Sequence, residues 1–193
     1  MKTWIIGGLI AATGIAAAGL VIGSQYERED DERGEHEGNG SRYGFSRQDV
    51  APVQNALYQE ECGGCHFAYQ PGLLPAASWQ RLMNGLADHF GENAELDADT
   101  DAQLRGYLAA NAADRVNTGR SPGIANSLRG DAPLRITDTV YFRRQHDELP
   151  ARAVADNPEI GSFSRCEACH TGARDGSYDE HSVRIPGWGR WDD

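Results

Sequence analysis

The chain has 193 residues, a formal net charge of −11 and 39% hydrophobic residues. Lys2 is the only Lys, and the acidic excess argues against nucleic acid as a partner, which needs a basic face. The length holds one domain or two small ones, and mature halves of roughly 80 residues have modest apolar cores that gain from an embedded cofactor.

Residues 1–23 read as an export segment. Lys2 gives a positive start, and Trp4 to Gly23 carries no charge while supplying Ile5, Ile6, Leu9, Ile10, Leu20, Val21 and Ile22. From Thr3 to Gly23 the run can cross a bilayer as a helix of about 30 Å. The small-residue cleavage site is not clean, so the segment is either a signal peptide cut near Gly23 or a retained membrane anchor. Both place the rest of the chain outside the cytoplasmic membrane. Residues 24–45 form an acidic linker in which Glu27, Glu29, Asp30, Asp31, Glu32, Glu35 and Glu37 are interspersed with Gly34, Gly38 and Gly40. That composition predicts disorder, and His36 inside it reads as solvated rather than as a ligand.

Folded structure is expected from Ser46, an N-cap for a helix running towards Cys62 with Val53 and Leu57 inward and Pro52 in its first turns. Then comes Cys62-Gly63-Gly64-Cys65-His66, and the pattern returns as Cys166-Glu167-Ala168-Cys169-His170. C-x-x-C-H marks covalent attachment of a c-type haem. On a helical turn, residues three apart share a face, so both thiols reach the vinyl groups of one porphyrin. The adjoining His then offers a ring nitrogen to the iron as proximal ligand. The two pentapeptides use all four Cys of the chain. Zinc sites usually close with separated ligand pairs, disulfides would not require the paired His, and a thioredoxin-type dithiol wants a βαβ context that is absent. Two covalently attached c-type haems with iron are therefore expected, with His66 and His170 as proximal ligands.

Past the turn Pro71–Pro75, a helix is expected over 76–90, with Trp79, Leu82, Met83 and Leu86 on one stripe and His89 continuing it. The stripe aims His89 at a sixth coordination position. Met83 is the rival there, although core packing is its ordinary role. Asp97 or Asp99 caps a third helix to about Ala113, with Leu104, Tyr107 and Leu108 inward. Residues 117–133, rich in Gly, Ser, Asn and Pro, read as an irregular connection. Thr137 is expected to cap a short helix to Leu149, stopped by Pro150. Val140, Phe142, His146 and Leu149 share a side of it, which makes His146 the candidate distal ligand of the second haem. His181, in the polar stretch Ser177 to His181, is its rival. The tail 184–191, with two of the four Trp, reads as an extended strap over a haem edge or an interdomain seam.

Together with the two pentapeptides, Leu73-Leu74-Pro75-Ala76-Ala77-Ser78-Trp79, the run Leu86 to Ala94 around His89, Phe142-Arg143-Arg144-Gln145-His146 and Tyr178-Asp179-Glu180 make the chain resemble the bacterial dihaem cytochrome c proteins, over about Val50 to Trp188. The resemblance implies a mainly α fold of two small haem-binding domains. The N-terminal one, 46–116, would be like a class I cytochrome c, and the C-terminal one, 117–193, short and irregular. It implies two His ligands at each iron, which supports His89 and His146. It also implies electron transfer to redox partners, such as a small oxygen-binding haem protein of the sphaeroides haem protein type that docks electrostatically. A membrane cytochrome is a candidate electron source. The expected function is a periplasmic electron carrier rather than an enzyme. The alternative is a dihaem peroxidase-like enzyme with one open iron, which would make His89 or His146 merely structural.

Overall fold

The computed structural model describes residues 48–191, so the expected export segment, the whole of the acidic linker and Ser46 lie outside the described residues. Among the described residues no helix is long and apolar enough to cross a membrane.

The first helix, α1, spans Ala56–Gly63 and not the longer stretch from Ser46. Pro52 lacks an N–H and pushes Ala51 away from helical geometry. The N–H groups of Asp49 and Val50 are instead taken by the Gly176 carbonyl, at 2.8 and 3.1 Å. Asn55 starts the helix by accepting the Tyr58 N–H at 2.9 Å. Val53 and Leu57 nevertheless pack inward, as their spacing predicts.

A 3-10 turn at Pro71–Leu73 leads to α2, Ala76–Asn84. The expected helix to Phe90 stops at Asn84 because the Gly85 N–H closes onto the Leu82 carbonyl at 3.0 Å, and a 3-10 turn, Leu86–Asp88, follows. Gly gives up the most backbone entropy in a helix, so it is a natural place to end one. Helix α3, Ala98–Asn111, forms as expected, with the Asp97 carboxylate accepting the N–H groups of Asp99 and Thr100 at 3.0 Å and with Leu104 and Leu108 buried. It packs against α2.

The connection 117–133 is not wholly irregular: it contains α4, Ser121–Ser127, with Pro122 in its first turn, where a missing N–H costs nothing. The next helix, α5, is Val140–Gln145 and is capped by Thr139 rather than Thr137. Thr139 Oγ1 accepts the Phe142 N–H at 3.0 Å and donates to the Ile136 carbonyl at 2.8 Å. Short helices α6, Ala151–Val154, and α7, Cys166–Cys169, precede a hairpin of β1, Arg184–Ile185, and β2, Gly189–Arg190. The strands pair antiparallel, Arg184 with Arg190 and Ile185 with Gly189. The tail is thus folded back rather than extended. Trp191 packs on a buried cluster, whereas Trp188 is exposed with the Arg152 guanidinium 5.5 Å over its ring.

The architecture is mainly α, as the sequence predicts. One apolar cluster gathers Tyr58, Leu74, Trp79, Met83, Leu104, Leu108 and Ala112. A second gathers Ala153, Val154, Ile160, Val183 and Ile185. A third, Val50, Leu73, Ala113 and Ile124, joins early and middle parts of the chain.

Candidate functional site

Helix α1 carries Cys62 in its last turn, half-buried, and the chain then emerges so that Cys65 and His66 are exposed. Burial, then the nearby Glu61 charge, pushes the Cys62 thiol up to about 11. His66 Nδ1 lies 2.8 Å from the Phe67 carbonyl, which leaves Nε2 as the outward nitrogen.

His89 comes to this loop by a different route from the predicted stripe. It sits beyond α2, in a tight turn closed by His89 N–H to Glu92 O at 2.7 Å and Glu92 N–H to His89 O at 3.3 Å. The turn needs Phe90 at φ 58° and Gly91 at φ 102°. Left-handed backbone is unfavourable for Phe, and Arg135 braces it, its guanidinium 3.9 Å from the ring centre. The His66 and His89 rings stand 6.2 Å apart, centre to centre, with planes 21° apart. Burial, then the charge of His66, lowers the His89 imidazole pKa. Met83, the rival, is buried in the first apolar cluster.

At the second loop, α7 is the attachment turn itself, and the His170 backbone bridges to Val183. Burial pushes the Cys166 thiol up to about 12, with Glu167 adding to it. Burial also brings His170 down to about 4, with His146 and Arg120 acting in the same direction. A neutral imidazole is the form that binds a metal. His146 stands at the end of α5, its Nδ1 2.9 Å from the Phe142 carbonyl and its ring stacked on Phe142 at 4.0 Å. The one-turn spacing of Phe142 and His146 therefore holds as predicted. The His146 and His170 rings are 6.1 Å apart with planes at 79°. A cavity of about 310 Å³ opens beside both rings and both thiols, walled by Val154, Ile160, Ile185 and Trp191. His181 faces away from this pair: its side chain is 76% exposed and rests on Asp179 at 3.1 Å.

Three polar groups between the loops had no sequence signal beyond their hydrophilicity. Asp49, buried, accepts Arg120 Nε–H at 2.8 Å and the Tyr178 N–H at 2.7 Å. Gln70, fully buried, donates to the Ala173 carbonyl and accepts from the Tyr178 hydroxyl at 2.6 Å. Tyr69 donates to the Ser164 carbonyl at 2.7 Å. A polar residue beside a haem loop is the only hint that a sequence could have offered.

Each attachment motif thus presents two thiols on one turn, with its own imidazole facing a second one from elsewhere in the chain, a donor set suited to an iron porphyrin tethered by its edge. The family described as dihaem cytochrome c matches residues 58–178, a span holding both pentapeptides, His89 and His146. A diheme cytochrome type c from Shewanella baltica OS155 shares 44% identity, covering 72% of this chain and 99% of its own, with a TM-score of 0.61. A diheme cytochrome c from Rhodobacter sphaeroides shares 42% identity over 67% of this chain and 100% of its own, with a TM-score of 0.59. No curated protein matches the chain by sequence. The chain therefore belongs to the dihaem cytochrome c family, as an electron-transfer haem protein with two c-type haems.

Proposed function

We propose that the protein is a periplasmic electron carrier in which both irons are closed by two His ligands. Cys62 and Cys65 tether the first haem, and His66 and His89 ligate it. Cys166 and Cys169 tether the second, and His170 and His146 ligate it. The observation that carries this reading is the ring spacing. Two imidazoles holding one metal from opposite sides, each at a bond of about 2 Å, stand with ring centres about 6 Å apart. The two pairs measure 6.2 and 6.1 Å. A cytochrome haem, when bound, supplies a reversible one-electron couple at iron. These four His would hold the two irons, leave no open site for substrate and set the potential. His in place of Met at the sixth position favours a low potential.

The division into a first haem domain, 46–116, and a second, 117–193, is part of the same reading. It is supported by one apolar cluster drawn from Tyr58 to Ala112 and another from Ala153 to Ile185. The export segment supports the periplasm, where c-type haem is attached in bacteria. The net charge of −11 supports electrostatic docking to a partner with a basic face, in the manner of a small oxygen-binding haem protein.

The electronic spectrum of the purified holoprotein tests the proposal. Both haems are expected low-spin in both oxidation states, with no high-spin charge-transfer band near neutral pH. A high-spin band accompanied by peroxide turnover would overturn it in favour of a dihaem peroxidase. Partner association is expected to weaken as salt rises through the physiological range.

A further inference from the structure

We propose that Tyr69 and Gln70 form a clamp by which the first attachment loop sets the ligand geometry and the potential of the second haem. Both residues follow His66 closely, and the Tyr69 ring lies 5.1 Å from the His66 ring. Their side chains nevertheless grip the other loop, one on each side of it. Ahead of the second pentapeptide, the Tyr69 hydroxyl donates to the Ser164 carbonyl at 2.7 Å. The Cys166 thiol lies 3.7 Å from the same carbonyl. Behind the pentapeptide, Gln70 Nε2 donates to the Ala173 carbonyl at 2.5 Å, and Oε1 accepts the Tyr178 hydroxyl at 2.6 Å. The Ala173 N–H in turn bonds the His170 carbonyl at 3.0 Å, and the Tyr178 ring packs 5.3 Å from the His170 ring.

Gln70 is 0% exposed, and both ends of its amide are satisfied by the second loop. An apolar side chain of the same size would fill the space without carrying a desolvated amide. What only the amide supplies is direction: it fixes Ala173 and Tyr178 relative to each other, and so fixes the turn that begins at His170. Groups that hold a ligand from behind orient it and tune the metal that it would bind. With the clamp released, the turn after His170 loosens, water gains access to the second iron, and the oxidised, more highly charged state is favoured. The second midpoint potential therefore falls while the first stays as it was, because Tyr69 meets His66 only through its ring, which Tyr69→Phe keeps. Tyr69 and Gln70 act here as positioning residues.

The inference rests on His170 being an iron ligand, and the low-spin spectrum of the unsubstituted holoprotein tests that reading by itself. The clamp is tested on holoprotein carrying Gln70→Leu, Tyr178→Phe or Tyr69→Phe, each followed by electron paramagnetic resonance and potentiometric titration. His146→Ala identifies which signal belongs to the second haem. Gln70→Leu and Tyr178→Phe are expected to shift the g-values of the second haem and lower its midpoint, with the first haem unmoved. Tyr69→Phe is expected to give a smaller shift of the same sign. If Gln70→Leu does not fold, Tyr178→Phe, which removes one hydroxyl and no volume from the amide, decides alone. Unchanged signals from both haems, or a change confined to the first, would overturn the clamp.

Discussion

The same C-x-x-C-H order stands in two different settings. At the first loop the thiol of Cys65 and the ring of His66 are exposed, and the facing imidazole is delivered by a strained turn. At the second, the turn sits against a cavity of about 310 Å³ and the facing imidazole stands on the end of a helix, stacked on Phe142. Ring planes are 21° apart in the first pair and 79° apart in the second. The motif specifies that a haem is held; burial and the route of the second His specify what kind of redox centre results. Ligand-plane angle and solvent exposure are two of the levers a protein has on haem iron, and both differ here.

The largest effects expected come from removing the facing imidazoles. His89→Ala should turn only the first haem high-spin and His146→Ala only the second, read in the electronic spectrum. Retention of two low-spin haems in either variant would break the assignment at that site. Next is the electron paramagnetic resonance of the oxidised protein. Near-parallel rings at the first iron should give a rhombic low-spin signal, and near-perpendicular rings at the second a strongly anisotropic one. Two identical signals would erase the contrast between the sites.

Much of the first site was legible from its residues, and the way His89 reaches it was not. A 3.6-residue stripe persists through Trp79, Leu82, Met83 and Leu86, but the helix does not, since Gly85 ends it and a 3-10 turn carries the chain on. Periodicity records which side chains face inward, and that survives a change of helix type; the backbone path does not follow from it. Asp97 was readable as a cap because its partners are its own neighbours. Thr137 and Thr139 offer the same hydroxyl two residues apart, and Thr137 is taken up in the 3-10 turn Ile136–Asp138, so the cap falls to Thr139. The links made by Asp49, Tyr69 and Gln70 join distant parts of the chain, so no local pattern announces them.

Smaller effects sharpen the comparison through the scaffold. Asp49→Ala removes two charge-assisted bonds from a buried carboxylate and leaves a half-exposed Arg120 to water, a loss of about 2 kcal/mol in denaturant unfolding. An unchanged midpoint would mean that Asp49 does not tie the second loop to the rest. Phe90→Gly should lie within about 0.5 kcal/mol of the parent. Relief of left-handed backbone at roughly 1 kcal/mol is offset by the lost Arg135 contact of similar size, and thermal melting checks it.

Gly176 has a consequence for the order of assembly. At φ 77° a side chain there would collide with the Val50 carbonyl, so the early segment lies directly on the late loop. Its carbonyl takes the N–H groups of both Asp49 and Val50. The first described residues therefore cannot reach their resting place until nearly the whole chain has been delivered, and closing so long a loop is slow. Until then Asp49 and Val50 are left undocked, while α1 to α3, whose contacts are local, can already fold. Maturation of this protein should accordingly run from the first haem to the second, with the Asp49–Gly176 junction as its final latch.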